Sequence, residues 1–346
     1  MITFFSPQHE RHAPQDEFFR GERVPALERP ERAACVLREL QARGHEVRPP
    51  KLDSRELLLQ VHAERYLDFL ETAWTQWVAL DASNSGVQPF PSVWPVRTLR
   101  CDIEPDNFVA KLGLYSMDNG TPLVEGTWSA AKGGADAAAS AAALLSSGAA
   151  RALFCATRPP GHHAGHDFMG GYCFLNNAAV AAQALRANGC DRVAIVDVDY
   201  HHGNGTQSIF YDRDDVLFVS IHGDPRTEYP FYLGHADEHG EGPGLGFNLN
   251  LPLAAGSPVG QWLAALDIAC RRVERHRADA LVISLGLDTC ADDPICRFAL
   301  RAPDFSRLGA RLKRLQLPAV FVLEGGYAAA ALGTNAVDVL EAFEGA

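Results

Sequence analysis

The stretch Val193-Ala-Ile-Val-Asp-Val-Asp-Tyr-His-His-Gly-Asn-Gly-Thr206 constrains the fold of this chain more than any other. A run of small and β-branched apolar residues leads straight into Asp197, Asp199, His201 and His202, and Gly203 and Gly205 end it. Such a run reads as a fully buried parallel strand feeding a tight turn. In extended chain residues two apart share a face, so Asp197, Asp199 and His201 can point the same way. Open α/β sheets bind ligands just beyond the carboxyl ends of their strands. Two carboxylates and two imidazoles at such an edge suggest a metal site.

The rest of the chain is consistent with that sheet. From Ala152 onward, short apolar runs alternate with helical patterns. Strands are expected at Ala152–Ala156, Val193–Asp197, Val216–Ile221, Ala280–Leu285 and Ala319–Leu323. Helices are expected near Ala178–Ala187, Gln261–Arg277 and Phe305–Leu315, the last two started by Ser257-Pro258 and Asp304. This alternation predicts βαβ units around a central parallel sheet. Upstream, Ile2–Phe5 reads as a first strand, Ser6–Pro30 as a loop over a surface or pocket rim, and Glu31–Arg43 as a helix stopped by Gly44. Ser54 is the expected cap of one helix striped by Leu59, Ala63, Tyr66, Leu70, Ala73 and Trp77. Between Ala82 and Glu125 periodicity fails and five prolines accumulate, so the stretch reads as a long functional loop or a dimer contact. Thr127–Leu145 resumes as an alanine-rich helix. With no repeat and no linker, residues 1–346 read as one domain with an insertion at about 82–125.

Composition narrows the function. Hydrophobic residues make up 47% and charged residues 21% of 346 residues, the balance of a soluble globular protein. Met1–Ser6 is too short for an export signal, and the most apolar run, Ala137–Leu145, is too short to span a bilayer. A cytoplasmic protein without a membrane partner is the expectation. Eight cysteines without a CxxC pair favour reduced thiols. A formal net charge of -12 argues against nucleic acid and favours a positively charged substrate.

Four polar clusters follow predicted strands: Arg158-Pro-Pro-Gly-His-His-Ala164, Asp197-Val-Asp-Tyr-His-His-Gly-Asn204, Gly286-Leu-Asp288 and Glu324-Gly-Gly-Tyr327. In a parallel sheet they converge on one edge. A catalytic zinc usually takes three protein ligands and keeps an open position, and Asp199, His201 and Asp288 can supply such a set. His162 and His163 remain for proton transfer, and Tyr327 for stabilising developing oxyanion charge. Any one cluster alone reads as a cap or turn; the combination points to a metal site.

These motifs and their order resemble the arginase–deacetylase superfamily, specifically its zinc-dependent deacetylases. The likeness is strong over residues 150–346. Glu104-Pro-Asp-Asn107 and Leu112-Gly-Leu-Tyr115 in the N-terminal half are more similar to the bacterial acetylpolyamine amidohydrolases. The resemblance implies a three-layer α/β arginase–deacetylase fold, with a central, mostly parallel sheet flanked by helices. It assigns Asp199, His201 and Asp288 to zinc and His163 to general base and acid catalysis. His162 becomes the largely electrostatic neighbour, oriented by Asp197, and Tyr327 the oxyanion donor. It also implies a structural potassium ion held by Asp197, Ser220 and backbone carbonyls including that of Ile221. Asn204 stands where some members carry aspartate, a difference that alters the basicity of His163. Tyr172, Tyr229 and Ile295 resemble residues lining a narrow substrate channel, and Glu17 an acidic position facing a cationic amine. Glu104, Asp106 and Asp118 add negative potential in the long loop, which in the amidohydrolases packs across a homodimer. His202 is expected to be structural.

The implied reaction is zinc-dependent hydrolysis of the acetyl amide of small cationic acetylated polyamines. The alternatives are an acetyl-lysine protein deacetylase, disfavoured by the long insertion, and an arginase-like enzyme with two manganese ions, disfavoured by the spacing of Asp-Val-Asp-Tyr-His. A third is a non-catalytic amine-binding protein, disfavoured because His162, His163 and Tyr327 are all present.

Overall fold

The structure, a computed structural model, describes residues 1–96 and 98–345. In chain order its elements begin with β1 (Ile2–Phe4), the hairpin β2 (Asp16–Phe19) and β3 (Glu22–Pro25), α1 (Glu31–Ala42) and β4 (Glu46–Arg48). The next group is helical, with α2 (Arg55–Val61), α3 (Glu64–Leu80), α4 (Phe108–Leu114) and α5 (Thr127–Ser146). The alternating part then runs β5 (Ala152–Cys155), α6 (Asn177–Ala187), β6 (Val193–Asp197), α7 (Asn204–Phe210), β7 (Val216–Gly223) and β8 (Asn248–Leu253). It closes with α8 (Val259–His276), β9 (Ala280–Leu285), α9 (Ala302–Lys313), β10 (Ala319–Leu323) and α10 (Ala329–Glu344).

Eight strands form one sheet in the order β4-β1-β5-β10-β9-β6-β7-β8, and every neighbouring pair is parallel. The period of two along each strand explains the three layers. Val193 and Ile195 of β6, Val282 of β9 and Val320 of β10 enter a core shared with α2, α3, α5 and α6. Their neighbours Ala194, Val196, Ile283 and Phe321 enter the opposite core, shared with α1, α8, α9 and α10. The sheet is therefore covered on both faces, and only its edges and strand ends can carry polar chemistry. The expected strands all form, within two residues at their ends.

Five expectations change. The helix predicted to follow Ser54 is two helices, because His62 and Ala63 adopt extended backbone and redirect the chain. Ser54 makes no side-chain cap; its N–H donates to Asp136 Oδ1 at 2.8 Å instead. Asp304 sits in the first turn of α9, which starts at Ala302, and its carboxylate accepts the N–H of Arg301 at 3.1 Å. The Ser6–Pro30 stretch contains the β2–β3 hairpin, and the 82–125 stretch contains α4. Among the described residues no helix is long and apolar enough to cross a membrane.

Candidate active site

β5, β6, β9 and β10 are adjacent and parallel, so the four polar clusters leave the sheet along one edge. Three of them line a cavity of about 780 Å³, and Asp288 of the fourth packs against Asp199 and His201 at its base. The alternation of β6 persists past its end: Val198 and Tyr200 join the core on one face, while Asp197, Asp199 and His201 turn to the site.

One ligating atom each from Asp199, His201 and Asp288 lies within 4.8 Å of the others. His201 Nδ1 is 2.9 Å from Asp288 Oδ2 and 3.4 Å from Asp199 Oδ1. The free carboxylate oxygens are held by backbone, with Gly325 N–H on Asp199 Oδ2 and Tyr200 N–H on Asp288 Oδ1, both at 2.8 Å. Two glycines make this approach possible. A Cβ on Gly286 would lie 2.1 Å from Asp199 Oδ2, and one on Gly325 would lie 2.6 Å from Asp199 Oδ2 and 2.9 Å from Asp288 Oδ2. Burial and the charge of Asp199 push the Asp288 carboxyl up, and the two carboxylates overcome burial to push His201 up to about 10. Such mutual repulsion is what a bound cation relieves.

The paired histidines have different partners. His162 Nδ1 lies 2.9 Å from Asp197 Oδ2, whereas His163 Nδ1 lies 2.6 Å from the amide oxygen of Asn204. Burial opposes charge on both rings. At His162 the carboxylates of Asp197 and Asp199 overcome it and lift the pKa to about 10. At His163 burial is reinforced by His162 and His201, which hold it well below the usual histidine range. At neutral pH this favours the cationic form of His162 and the neutral form of His163.

Tyr327 reaches the cavity from the turn after β10, and its hydroxyl has no hydrogen-bond partner among the described residues. Its backbone is fixed by Asp293, whose Oδ2 accepts the N–H groups of Tyr327 and Ala328 at 2.6 and 3.2 Å. Glu324 ties this turn to the histidine loop, accepting the N–H of Gly161 at 2.6 Å and of His162 at 3.1 Å.

Tyr172, Tyr229 and Ile295 all line the cavity. Glu17 does not. It is buried behind the wall, where Oε1 accepts the hydroxyl of Tyr172 at 2.8 Å and Oε2 the N–H of Leu27 at 3.0 Å. Among the acidic residues of the long loop, Asp118 reaches the cavity wall. Its Oδ2 accepts the Tyr229 hydroxyl at 2.6 Å and the Gly171 N–H at 2.7 Å, bracing two sides of the wall. Glu104 is engaged by Lys111 at 2.8 Å, away from the cavity. Asp197 and Ser220 are register partners on β6 and β7; Ser220 Oγ contacts His222 Nδ1 at 2.8 Å, and the Ile221 side chain lies in the core. His202 is fully buried, and its Nε2 donates between Gln207 and Asn250.

Two residues beside the site carry no motif: Asp293, and Arg32 of α1, whose guanidinium lies 4.7 Å from the centre of the Tyr327 ring. Asp293 acts through backbone N–H groups, and Arg32 lies in an ordinary amphipathic helix; neither leaves a spacing signature.

The histone deacetylase domain family matches residues 26–343. Acetylpolyamine amidohydrolases 2 and 1 of Pseudomonas aeruginosa are 51% and 52% identical to this chain, covering 100% of it and 99% of each relative. The acetylpolyamine amidohydrolase of Mycoplana ramosa is 41% identical over the full length of both. The crystal structure of acetylpolyamine aminohydrolase from Burkholderia pseudomallei superposes with a TM-score of 0.94 at 42% identity, covering 99% of this chain and 98% of that one. The HDA15 HD domain reaches 0.84 at 26% identity, covering 100% and 91%. With the fold and the motif order in agreement, this chain belongs to the histone deacetylase family and is a hydrolase of that family.

Proposed function

We propose that this chain is a zinc-dependent amidohydrolase that cleaves the acetyl amide of acetylated polyamines, such as acetylputrescine, acetylcadaverine or acetylspermidine, releasing acetate and the free amine. One observation carries the reading: Asp199 and His201, with Asp288 packed against them, lie in one cavity with the two dissimilar histidines and a tyrosine hydroxyl that has no hydrogen-bond partner among the described residues.

The residues fit a metal ion. The donor set is two carboxylates and an imidazole, buried or nearly so, with glycines where any side chain would intrude. The family implies a metal, and this donor set suits zinc. When bound, zinc polarises the amide carbonyl and lowers the pKa of a water. Because Nδ1 of His163 is engaged by Asn204, Nε2 is its basic nitrogen, able to take a proton from water and return it to the leaving amine. His162, held cationic by Asp197, stabilises negative charge without transferring a proton. Tyr327 donates to the tetrahedral oxyanion. Asp197, Ser220 and nearby carbonyls, including that of Ile221, would hold potassium as a structural ion.

Substrate choice rests on charge and shape. The relatives are named for acetylpolyamines. Tyr172, Tyr229 and Ile295 offer an apolar wall for a methylene chain, and Asp118 places a carboxylate in that wall. Glu17 serves indirectly, by fixing Tyr172. The segment before α4 exposes Val87, Val93, Val96, Leu99 and Ile103, an apolar surface suited to a homodimer contact through the 82–125 loop. The chain works as one catalytic domain in the cytoplasm. Turnover of acetylputrescine and acetylcadaverine well above that of acetyl-lysine peptides on metal-defined protein is the expected result. A preference for the peptides overturns the substrate assignment.

A further inference from the structure

We infer that Glu28 is a positioning residue that registers Tyr327 against the His162–His163 loop. The inference rests on the catalytic roles proposed above. Glu28 lies in the connection between β3 and α1, outside the polar clusters at the strand ends, and is 1% exposed.

A single oxygen of Glu28 joins two buried cations. Oε1 lies 2.8 Å from Nε of Arg158 and accepts a hydrogen bond from Nη1 of Arg32 at 2.9 Å. Arg158 opens the segment that carries His162 and His163. Its Nη1 and Nη2 donate to the carbonyls of His9 and His12 at 2.6 and 2.5 Å. Arg32 serves the other side of the site. Its Nε and Nη2 donate to the carbonyls of Gly326 and Glu324 at 2.6 and 2.5 Å, and its guanidinium lies 4.7 Å from the centre of the Tyr327 ring. Arg158 belongs to the loop after β5 and Arg32 holds the turn after β10, so the Glu28 carboxylate bridges the two.

Charge makes the bridge necessary. Arg32 and Arg158 are both almost fully buried, and each disfavours the other's charge. His12, with Nε2 3.7 Å from Glu28 Oε2, is held neutral by burial and by Arg158, and so adds no charge to the cluster. Oε2 has no hydrogen-bond partner among the described residues. Without the carboxylate, two buried guanidiniums face each other uncompensated, and removing one partner of a buried ion pair is strongly unfavourable. Of the two loops, the turn under Tyr327 is the one that Arg32 touches directly, through the carbonyls of Glu324 and Gly326 and the face of the Tyr327 ring. A catalytic hydroxyl must be held within about half an ångström of its productive position.

The test is Glu28→Gln, which keeps the size of the side chain and removes its charge. Turnover on an acetyl amide that the wild type hydrolyses should fall about 10- to 100-fold, the scale set by an ångström of misplacement, with KM changed less than about threefold. Zinc per chain, and the fraction of sites titrated by a zinc-binding hydroxamate, should stay at the wild-type level. In a Tyr327→Phe background the same substitution should cost less than about threefold, because the group it positions is gone. Arg32→Lys, which keeps the charge but lacks the planar fork, should behave likewise and serves if Glu28→Gln does not fold. Wild-type turnover in both variants, equal losses with and without the Tyr327 hydroxyl, or a loss that follows the fraction of titratable sites would each overturn the inference. The crystal structure of Glu28→Gln separates this from the assignment of function. A shift of residues 324–327 relative to His162 and His163 supports the bridge whatever the wild type hydrolyses, and an unmoved turn overturns it.

Discussion

His163 Nδ1 lies 2.6 Å from the amide oxygen of Asn204, while the adjacent His162 faces a carboxylate. The amide fixes the tautomer of His163 without donating charge, which leaves its pKa depressed by burial and by the neighbouring rings. Asn204→Asp should therefore raise the pKa of His163. A general base works deprotonated, so the acid limb of the kcat/KM profile should move to higher pH and activity in mild acid should fall. An acid limb that stays in place, or moves down, would show that His163 is not the base.

Tyr327 presents a hydroxyl in the cavity without a hydrogen-bond partner among the described residues, while its backbone is held by Asp293. Tyr327→Phe removes only the hydroxyl. Turnover should fall by about 10²–10³, the usual cost of losing one oxyanion donor, with metal content and thermal stability unchanged. Steady-state kinetics beside metal analysis checks this.

Gly325 brings backbone against both ligand carboxylates, where an added Cβ would sit 2.6 Å from Asp199 Oδ2 and 2.9 Å from Asp288 Oδ2. Gly325→Ala must displace one of them. Zinc affinity should weaken by about 10- to 100-fold, as when outer-shell partners are lost, in a chain that stays folded. Competition with a chelator, followed by elemental analysis, measures it; wild-type affinity would mean that the cradle is looser than the geometry implies.

Much of this arrangement was readable from residues 193–206 and the clusters that follow the other strands, because a buried parallel strand must be apolar on both faces and its polar chemistry is confined to its end. What escaped had weaker patterning. β4 is three residues at an edge, and β8 alternates leucines with Asn248, Asn250 and Pro252, burying the two asparagines instead of carrying a continuous apolar run. The β2–β3 hairpin is half exposed, so charges mask its strand pattern. Leu58, Val61, Tyr66 and Leu70 are all buried, so apolar spacing runs on through a break at His62 that only tertiary hydrogen bonds reveal. The Glu28–Arg32–Arg158 bridge spans 130 residues of sequence, and pairing over that distance is not encoded in local spacing.

Asp118 is the carboxylate of the long loop that reaches the cavity wall. Asp118→Asn keeps a hydrogen-bond acceptor for Tyr229 and removes the charge. KM for acetylputrescine should rise about 10-fold, while an uncharged analogue such as N-butylacetamide should be affected less than about threefold, since a desolvated charge pair contributes roughly 1–2 kcal/mol. Equal effects on both amides would make Asp118 a brace for Tyr229 and Gly171 alone.

His62 couples acid stability to the active-site loop. Its Nδ1 donates to the carbonyl of Gly165 at 2.7 Å and its Nε2 accepts the N–H of Asn176 at 3.0 Å, so both nitrogens are satisfied only in the neutral ring. Gly165 lies two residues beyond His163, and Asn176 caps α6 and donates to the carbonyl of Ala164 at 3.0 Å. Burial holds the pKa of His62 at about 4, below that of an unfolded histidine. The folded state then binds fewer protons than the unfolded chain, so this stabilisation is complete above about pH 6.5 and is lost as pH falls towards 4. At about pH 5 the loss should be roughly 2 kcal/mol. His62→Gln removes the titrating ring. It should be less stable than wild type near pH 7.5, with the gap narrowing by about that amount near pH 5. Urea unfolding of both proteins at the two pH values decides it, and a gap independent of pH would mean that His62 is not the group through which acid loosens this loop.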